Sequence, residues 1–199
     1  MIEGDSLEYE VFEESIKRLK NPVGASVEIG VRRGFGSKCI IDSFRKYFPD
    51  LKHTHLGIDP YGNIEYNPME DCKNVRLDYT NDMKRDALLD FTKAYPEFHM
   101  VCLEDTEFFK RYNDGYPIYD EYKKLITKYD LVHFDGPHDF MSVLNEIMFF
   151  HHRRAQESVF VFDDIKSYDH SKIDDLLKTL GYRLIFEGMR KAVYLNKGI

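Results

Sequence analysis

The 199-residue chain carries 43% hydrophobic and 32% charged residues, the balance of a soluble globular protein long enough to bury a sizeable core. Its formal net charge of −7 excludes the basic face of a dedicated nucleic-acid or anionic-membrane binder, and no apolar run approaches the roughly 18–20 residues that span a bilayer. The acidic start MIEGDSLEYE lacks the layout of a signal peptide, and Cys39, Cys72 and Cys102 are far apart without a CxxC, so reduced thiols and a cytoplasmic location are expected.

In chain order, residues 1–22 read as an N-terminal helical extension built on the amphipathic YEVFEESIKRLK. A strand follows over 25–31, then a helix through SKCIIDSFRKYF, where Cys39, Ile40, Phe44 and Tyr47–Phe48 recur at helical spacing. A second strand at 54–60 stops at Pro60 and Gly62, and the polar stretch 61–78 reads as a loop or insertion. NDMKRDALLDFTKAY is predicted helical, 98–104 a third strand, and the tyrosine-rich 107–129 short helices around a turn. A fourth strand (130–136), the helix FMSVLNEIMFFHHRR, a fifth strand (158–164) and the helix HSKIDDLLKTLG follow, with Gly181 placed as an αL cap. YRLIFEG and KAVYLN close the chain as a hairpin.

Strands alternating with helices predict an α/β fold with a doubly wound, mostly parallel sheet, here of seven strands ending in a C-terminal antiparallel hairpin. No repeat, linker or low-complexity tract divides the chain, so a single domain over 1–199 is expected. Ligands of such sheets bind at the carboxyl ends of the strands, near the topological switch point. The strand ends here lead into acids: Glu28 just before a glycine turn, then Asp59, Glu104–Asp105, Asp135 and Asp163–Asp164.

Gly30, Gly34 and Gly36 form a strand–turn–helix unit whose spacing differs from the dinucleotide fingerprint GxGxxG. Glu28 would put negative charge where a pyrophosphate has to sit, so a cationic, phosphate-free ligand suits the turn better. A tight strand–helix connection without a ligand explains the same glycines. Asp59 can accept from the vicinal hydroxyls of a ribose, in an NAD site as in others, or can cap the turn before Pro60.

VEIGVRRGFGS, HLGIDPYG, DLVHFDGPHDFMSVLNEI and VFVFDDI, in this order, resemble the class I S-adenosylmethionine (SAM)-dependent methyltransferases. Within them the chain is most similar to the small-molecule O-methyltransferase group that includes macrocin-type sugar methyltransferases, over residues 23–196. The resemblance implies a Rossmann-like fold and SAM as methyl donor. It places Glu28, Gly30, Gly34 and Ser37 at the methionine end of SAM, Asp59 at the ribose, Asp105 and Thr106 (after Glu104) beside the adenine, and Asp135 at the donor as well. It also implies that Asp135, Asp163 and Asp164 bind Mg²⁺ or another divalent ion, as the matching acids do in metal-dependent members of the group. Such an ion would relieve the mutual repulsion of three carboxylates. The alternative is that Asp135 only helps to hold SAM while Asp163–Asp164 cap a turn.

Catalysis would then fall to Asp135 and His138, the latter accepting the acceptor's proton or merely ordering its loop. His133 is read as alternating onto the opposite strand face with a structural role, and His151–His152 as a pair at a helix end. The segments 61–78 and 107–129 are candidates for acceptor recognition, a subunit interface or solvated insertions. The expected partner is a small hydroxylated acceptor, with no nucleic acid and no membrane; a homo-oligomer is compatible. Two departures stand out: RRAQES replaces the Gly-Gly that often precedes the fifth strand, and DGPH stands where nucleic-acid methyltransferases carry Asn/Asp-Pro-Pro-Tyr. An NAD-type oxidoreductase and a non-catalytic SAM-fold binding protein remain as alternatives.

Overall fold

The computed structural model describes residues 2, 4, 6–66, 69, 72, 75, 76 and 79–198. Helix α1 (Glu10–Ile16) leads into β1 (Ala25–Ile29), α2 (Phe35–Tyr47) and β2 (Thr54–Ile58). Two short strands, β3 (Glu65–Tyr66) and β4 (Val75–Arg76), pair in the predicted loop, part of which lies outside the described residues. Next come α3 (Asn81–Ala94), β5 (Phe98–Val101), α4 (Asp105–Arg111), β6 (Tyr116–Tyr119) and β7 (Lys123–Ile126). The chain closes with β8 (Tyr129–Phe134), α5 (Phe140–His151), β9 (Arg154–Phe162), α6 (His170–Thr179), β10 (Arg183–Glu187) and β11 (Ala192–Asn196).

Seven strands form the main sheet in the order β10-β11-β9-β8-β1-β2-β5. The β9–β8–β1–β2–β5 run is parallel, and β11 is antiparallel to both β9 and β10. The chain leaves β1 towards β2 and later returns to its other side through β8, so the switch point lies between β1 and β8. Among the described residues, no helix is long and apolar enough to cross a membrane.

The sheet is buried on both faces. Ala25, Val27, Ile29, Leu56, Val132, Phe134 and Phe160 pack towards α5 and α6 in the larger core. The other face meets α1 and α2, where Phe12 and Ile16 join Ile40 and Phe44 against Leu131, Val159, Val161 and Val193. The N-terminal helix is therefore part of a core, because its apolar stripe covers strands that would otherwise face water.

Two sequence expectations differ from the structure. Residues 107–129 hold one helical turn region and then the antiparallel β6–β7 pair, not short helices. Tyr116, Ile118 and Tyr119 favour extended backbone, and Pro117 is tolerated because a two-stranded ribbon leaves one edge of each strand unpaired. The fifth parallel strand begins at Arg154 rather than 158, so the polar RAQE lies within it and forms the shifted register beside Tyr129.

Candidate active site

A cleft of about 470 Å³ opens at the carboxyl ends of β1, β2 and β8, within the size range of small-molecule sites. The sheet's ladder runs one residue beyond the strands: Gly30 donates to Ile58, Asp59 to Val101, Asp135 to Ile29 and Asp163 to Phe134. These bonds fix the backbone from which the acids project. Gly30 has φ +83°, and a Cβ there would lie 1.9 Å from the Asp135 carbonyl oxygen. Only glycine lets the turn pass that close to the end of β8.

Glu28 lies on the floor of the cleft, 1% exposed. Its Oε1 is 2.8 Å from His133 Nδ1, and its Oε2 accepts from the Ser37 hydroxyl. The bonding continues away from the cleft. His55 Nε2 is 2.9 Å from Ser37 Oγ, His55 Nδ1 is 2.7 Å from Ser26 Oγ, and Ser26 Oγ is 2.8 Å from His53 Nε2. Since Ser37 spends its proton on Glu28, His55 must donate through Nε2 and accept at Nδ1, and Ser26 must accept from His53. Burial lowers the pKa of both imidazoles, that of His53 to about 3, so both are neutral and every donor in the row points towards Glu28. This polar seam runs along the α2 side of β1, β2 and β8, where apolar side chains would otherwise sit.

His133 stands on the same face as Glu28 and Asp135, correcting the expectation that it turns away. Residues two apart on a strand share a side, and His133 pairs in register with Glu28. Among the described residues, the metal-ligand atoms that converge within 4.8 Å are those of Glu28, His133 and Asp135.

Asp135, Asp163, Asp164 and His138 all line the cleft. His138 Nε2 is 3.5 Å from Asp164 Oδ2 and 3.8 Å from Asp135 Oδ1. Burial lowers the His138 pKa, only partly opposed by Asp164 and Asp163, so the ring is neutral and able to take a proton. Burial and then the Asp163 carboxylate push Asp135 well above the usual carboxylate range. Asp163, 1% exposed, is different: burial would raise its pKa, but the Lys191 ammonium holds it low.

The two adjacent acids are already engaged. Asp163 Oδ2 accepts from Lys191 Nζ at 2.5 Å and from Ser6 Oγ at 2.7 Å, and its Oδ1 accepts from the Asp164 N–H at 2.7 Å. Asp164 Oδ1 pairs with the Arg190 guanidinium. A hard divalent ion needs carboxylate oxygens free to coordinate it, and Asp163 and Asp164 are instead neutralised by protein cations. The donor set as it stands does not fit the ion expected at Asp135, Asp163 and Asp164.

The remaining expected residues separate. Asp59 faces the cleft, but its Oδ2 accepts from Val31 and Arg32 and its Oδ1 from Tyr61, so it also shapes the loop; burial raises its pKa against those three bonds. Asp105 and Thr106 line the cleft from the start of α4. Gly34 and Ser37 do not. Gly34, in the left-handed region, packs on Phe91, and Ser37 is buried beneath Glu28. Gly36 lines the cleft instead, its missing side chain making room for the Glu28 carboxylate, 2.0 Å from where a Cβ would be.

Sequence reasoning missed Ser6, Tyr9, Tyr61 and Arg190 on the cleft wall and Lys191 behind Asp163. It also missed Glu146 on α5, fully buried with neither oxygen partnered, which burial keeps protonated far above the usual range. Tyr61 sits in HLGIDPYG and was within reach of the same motif. The others depend on contacts no local pattern announces.

A seven-stranded sheet with a reversed last hairpin, a glycine turn after β1 and acids at the ends of β1, β2 and β8 define a class I SAM-dependent methyltransferase. The chain belongs to the methyltransferase-domain family, which matches residues 27–165. Among solved structures it is similar to the O-methyltransferase NovP, at 14% identity and a TM-score of 0.65, covering 94% of this chain and 78% of that one. A cofactor-bound MTB protein, Rv0187, aligns at 12% identity and a TM-score of 0.55, over 98% and 83% of the two chains. An rRNA methylase from Streptococcus thermophilus aligns at 7% identity and a TM-score of 0.55, over 95% of each chain. These likenesses establish the fold. No curated protein matches the sequence.

Proposed function

We propose that this methyltransferase transfers the methyl group to a hydroxyl of a small, polyhydroxylated acceptor such as a sugar or secondary metabolite, in the cytoplasm. Family membership supports SAM as donor; the lining supports it too, since Glu28, Asp59 and Asp135 suit a cation carrying hydroxyls and would repel a pyrophosphate. When bound, SAM supplies an electrophilic methyl. Glu28, Gly30 and Gly36 would hold its methionine end, Asp59 the ribose hydroxyls, and Asp105 with Thr106 the adenine edge.

The observation that carries O-methylation is His138. A neutral imidazole stands at the cleft between Asp135 and Asp164, where an acceptor hydroxyl can give it a proton. The Asp164 carboxylate, the nearer of the two acids, stabilises the imidazolium that results. Methyl transfer is a displacement, so the walls contribute chiefly by alignment and by excluding water. The net charge of −7 argues for a small molecule over nucleic acid.

The test is a turnover screen with labelled SAM against sugars, phenols and hydroxylated metabolites, alongside calorimetry with SAM and NAD. Label transferred to a hydroxyl is the expected result. Binding of SAM without transfer to any acceptor would favour a non-catalytic binding protein, and preferential NAD binding would sink the reading.

A further inference from the structure

We propose that Lys191 is the resident cation of this site, occupying with Arg190 the electrostatic position that a divalent ion would fill, so that methyl transfer here needs no metal. The inference rests on the methyltransferase reading above and concerns how its acids are neutralised.

Lys191 is 0% exposed and Asp163 1%, an ammonium and a carboxylate sealed together. The Nζ donates to Asp163 Oδ2 at 2.5 Å and to Ser6 Oγ at 2.8 Å, and lies 5.1 Å from the centre of the Tyr9 ring. Ser6 closes the triangle by donating to the same Asp163 oxygen. The N-terminal segment that supplies Ser6 and Tyr9 is clamped to the turn before β11. The Glu8 carboxylate accepts from the backbone N–H groups of Met189, Arg190 and Lys191 at 2.7, 3.1 and 2.9 Å. The cage around the ammonium is thus built from both ends of the chain.

The charges balance. Asp163 and Asp164 carry two negative charges; Lys191 and Arg190 carry two positive ones within ion-pair reach. Asp163 and Asp164 each have a cationic partner, and the repulsion that remains falls on Asp135, whose carboxyl it helps to hold well above the usual range. A divalent ion on Asp163 would strand a buried ammonium, which is strongly unfavourable.

Lys191 also acts as a positioning residue. It holds Asp163, whose Oδ1 accepts from the Asp164 N–H, and Asp164 sits at φ +47°, in the left-handed region that is uncommon for residues other than glycine. That turn aims the Asp164 carboxylate at His138.

The experiment uses the full chain loaded with S-adenosylhomocysteine and titrated with Mn²⁺, bound metal being read by electron paramagnetic resonance. The wild type is expected to bind no Mn²⁺ below about 0.1 mM, and Lys191→Met to bind at least about tenfold more tightly. Should Lys191→Met fail to fold, Arg190→Gln, which changes a partly exposed side chain of the cleft wall and frees Asp164 while Lys191 stays on Asp163, takes its place with a smaller expected gain of about threefold. In parallel, EDTA is expected to leave wild-type turnover unchanged. A wild-type Mn²⁺ site abolished by Asp163→Asn, loss of turnover in EDTA restored by Mg²⁺, or no gain of Mn²⁺ binding in either variant would each overturn the proposal. Calorimetry of S-adenosylhomocysteine on the same samples separates the two readings: absence of binding would sink the methyltransferase assignment, whatever the metal result.

Discussion

Glu28 and His133, on adjacent parallel strands and separated by 105 residues in the chain, share a 2.8 Å hydrogen bond in the interior of the protein. Together with Ser37 on its other oxygen, this fixes the Glu28 carboxylate under the glycine turn. The acid is held before any ligand arrives, so none of the ligand's affinity is spent on ordering it.

Glu28→Gln tests this. An amide cannot accept from both His133 and Ser37, so one buried donor loses its partner at a cost of about 1–3 kcal/mol. The variant should melt several degrees lower and bind SAM at least about tenfold more weakly, the second effect reflecting the lost negative charge. Calorimetry with SAM on protein shown to be folded checks it; unchanged affinity would remove Glu28 from the donor site.

Gly30→Ala should be more damaging. The new Cβ meets the Asp135 carbonyl at 1.9 Å in a backbone conformation with φ +83°. Backbone atoms on both sides cannot give way cheaply, and a loss of about 3 kcal/mol or more is expected, measured as a urea midpoint. Because the clash sits at the switch point, any folded fraction should also lose SAM binding.

His138→Gln should leave SAM affinity within about twofold and lower kcat by about 10²–10⁴, the usual contribution of a general base. The test is single-turnover methyl transfer as a function of pH. The wild-type rate should rise with pH as the ring loses its proton, and the variant should lose that dependence. An equal fall in binding and rate would assign His138 to loop order alone.

The polar seam predicts acid sensitivity. His53 is held neutral down to about pH 3, against 6.5 for a free imidazole. Below pH 6.5 the unfolded chain therefore binds a proton that the folded chain refuses, and stability must fall as pH falls. Between pH 6.5 and 5 this amounts to about 2 kcal/mol from His53 alone. His53→Gln, whose amide can still donate to Ser26, should flatten the urea midpoint against pH over that window; an unchanged slope would show that His53 is not the titrating group.

The fold was legible because its signals are local. β-Branched strands end in acids, helices carry 3.6-residue periodicity, and the reversed last strand follows from two consecutive strands without room for a crossover. Glu28, Asp59, Asp135 and His138 were legible for the same reason: position at a strand end, or just past it, decides what a side chain can face. Gly34 and Gly36 both fit a turn, and it is Gly36 that lines the cleft. Which one opens space depends on Phe91 and Glu28, contacts made in three dimensions. His133 was assigned the wrong face although strand alternation sufficed to place it beside Asp135. Lys191 and Ser6 could not have been read at all, since they meet Asp163 from 28 and 157 residues away. Their effect is to change the meaning of a motif that was correctly located: the acids are where the pattern puts them, but their charge is already spoken for.

The Glu8 clamp has a consequence for how the protein is made. It joins residues 181–183 apart in sequence, and a Cβ at Gly188 would collide with the Glu8 carboxylate at 2.3 Å. During synthesis the donor half of the cleft can assemble once β8 has left the ribosome, whereas the wall formed by Ser6, Tyr9, Arg190 and Lys191 must wait for the last hairpin. Contacts this distant in sequence are among the slowest to form. A nascent chain would thus pass through a stage in which the wall of Glu28, Asp59 and Asp135 exists and the Lys191–Asp163 pair does not, the pair forming only when β11 joins the sheet.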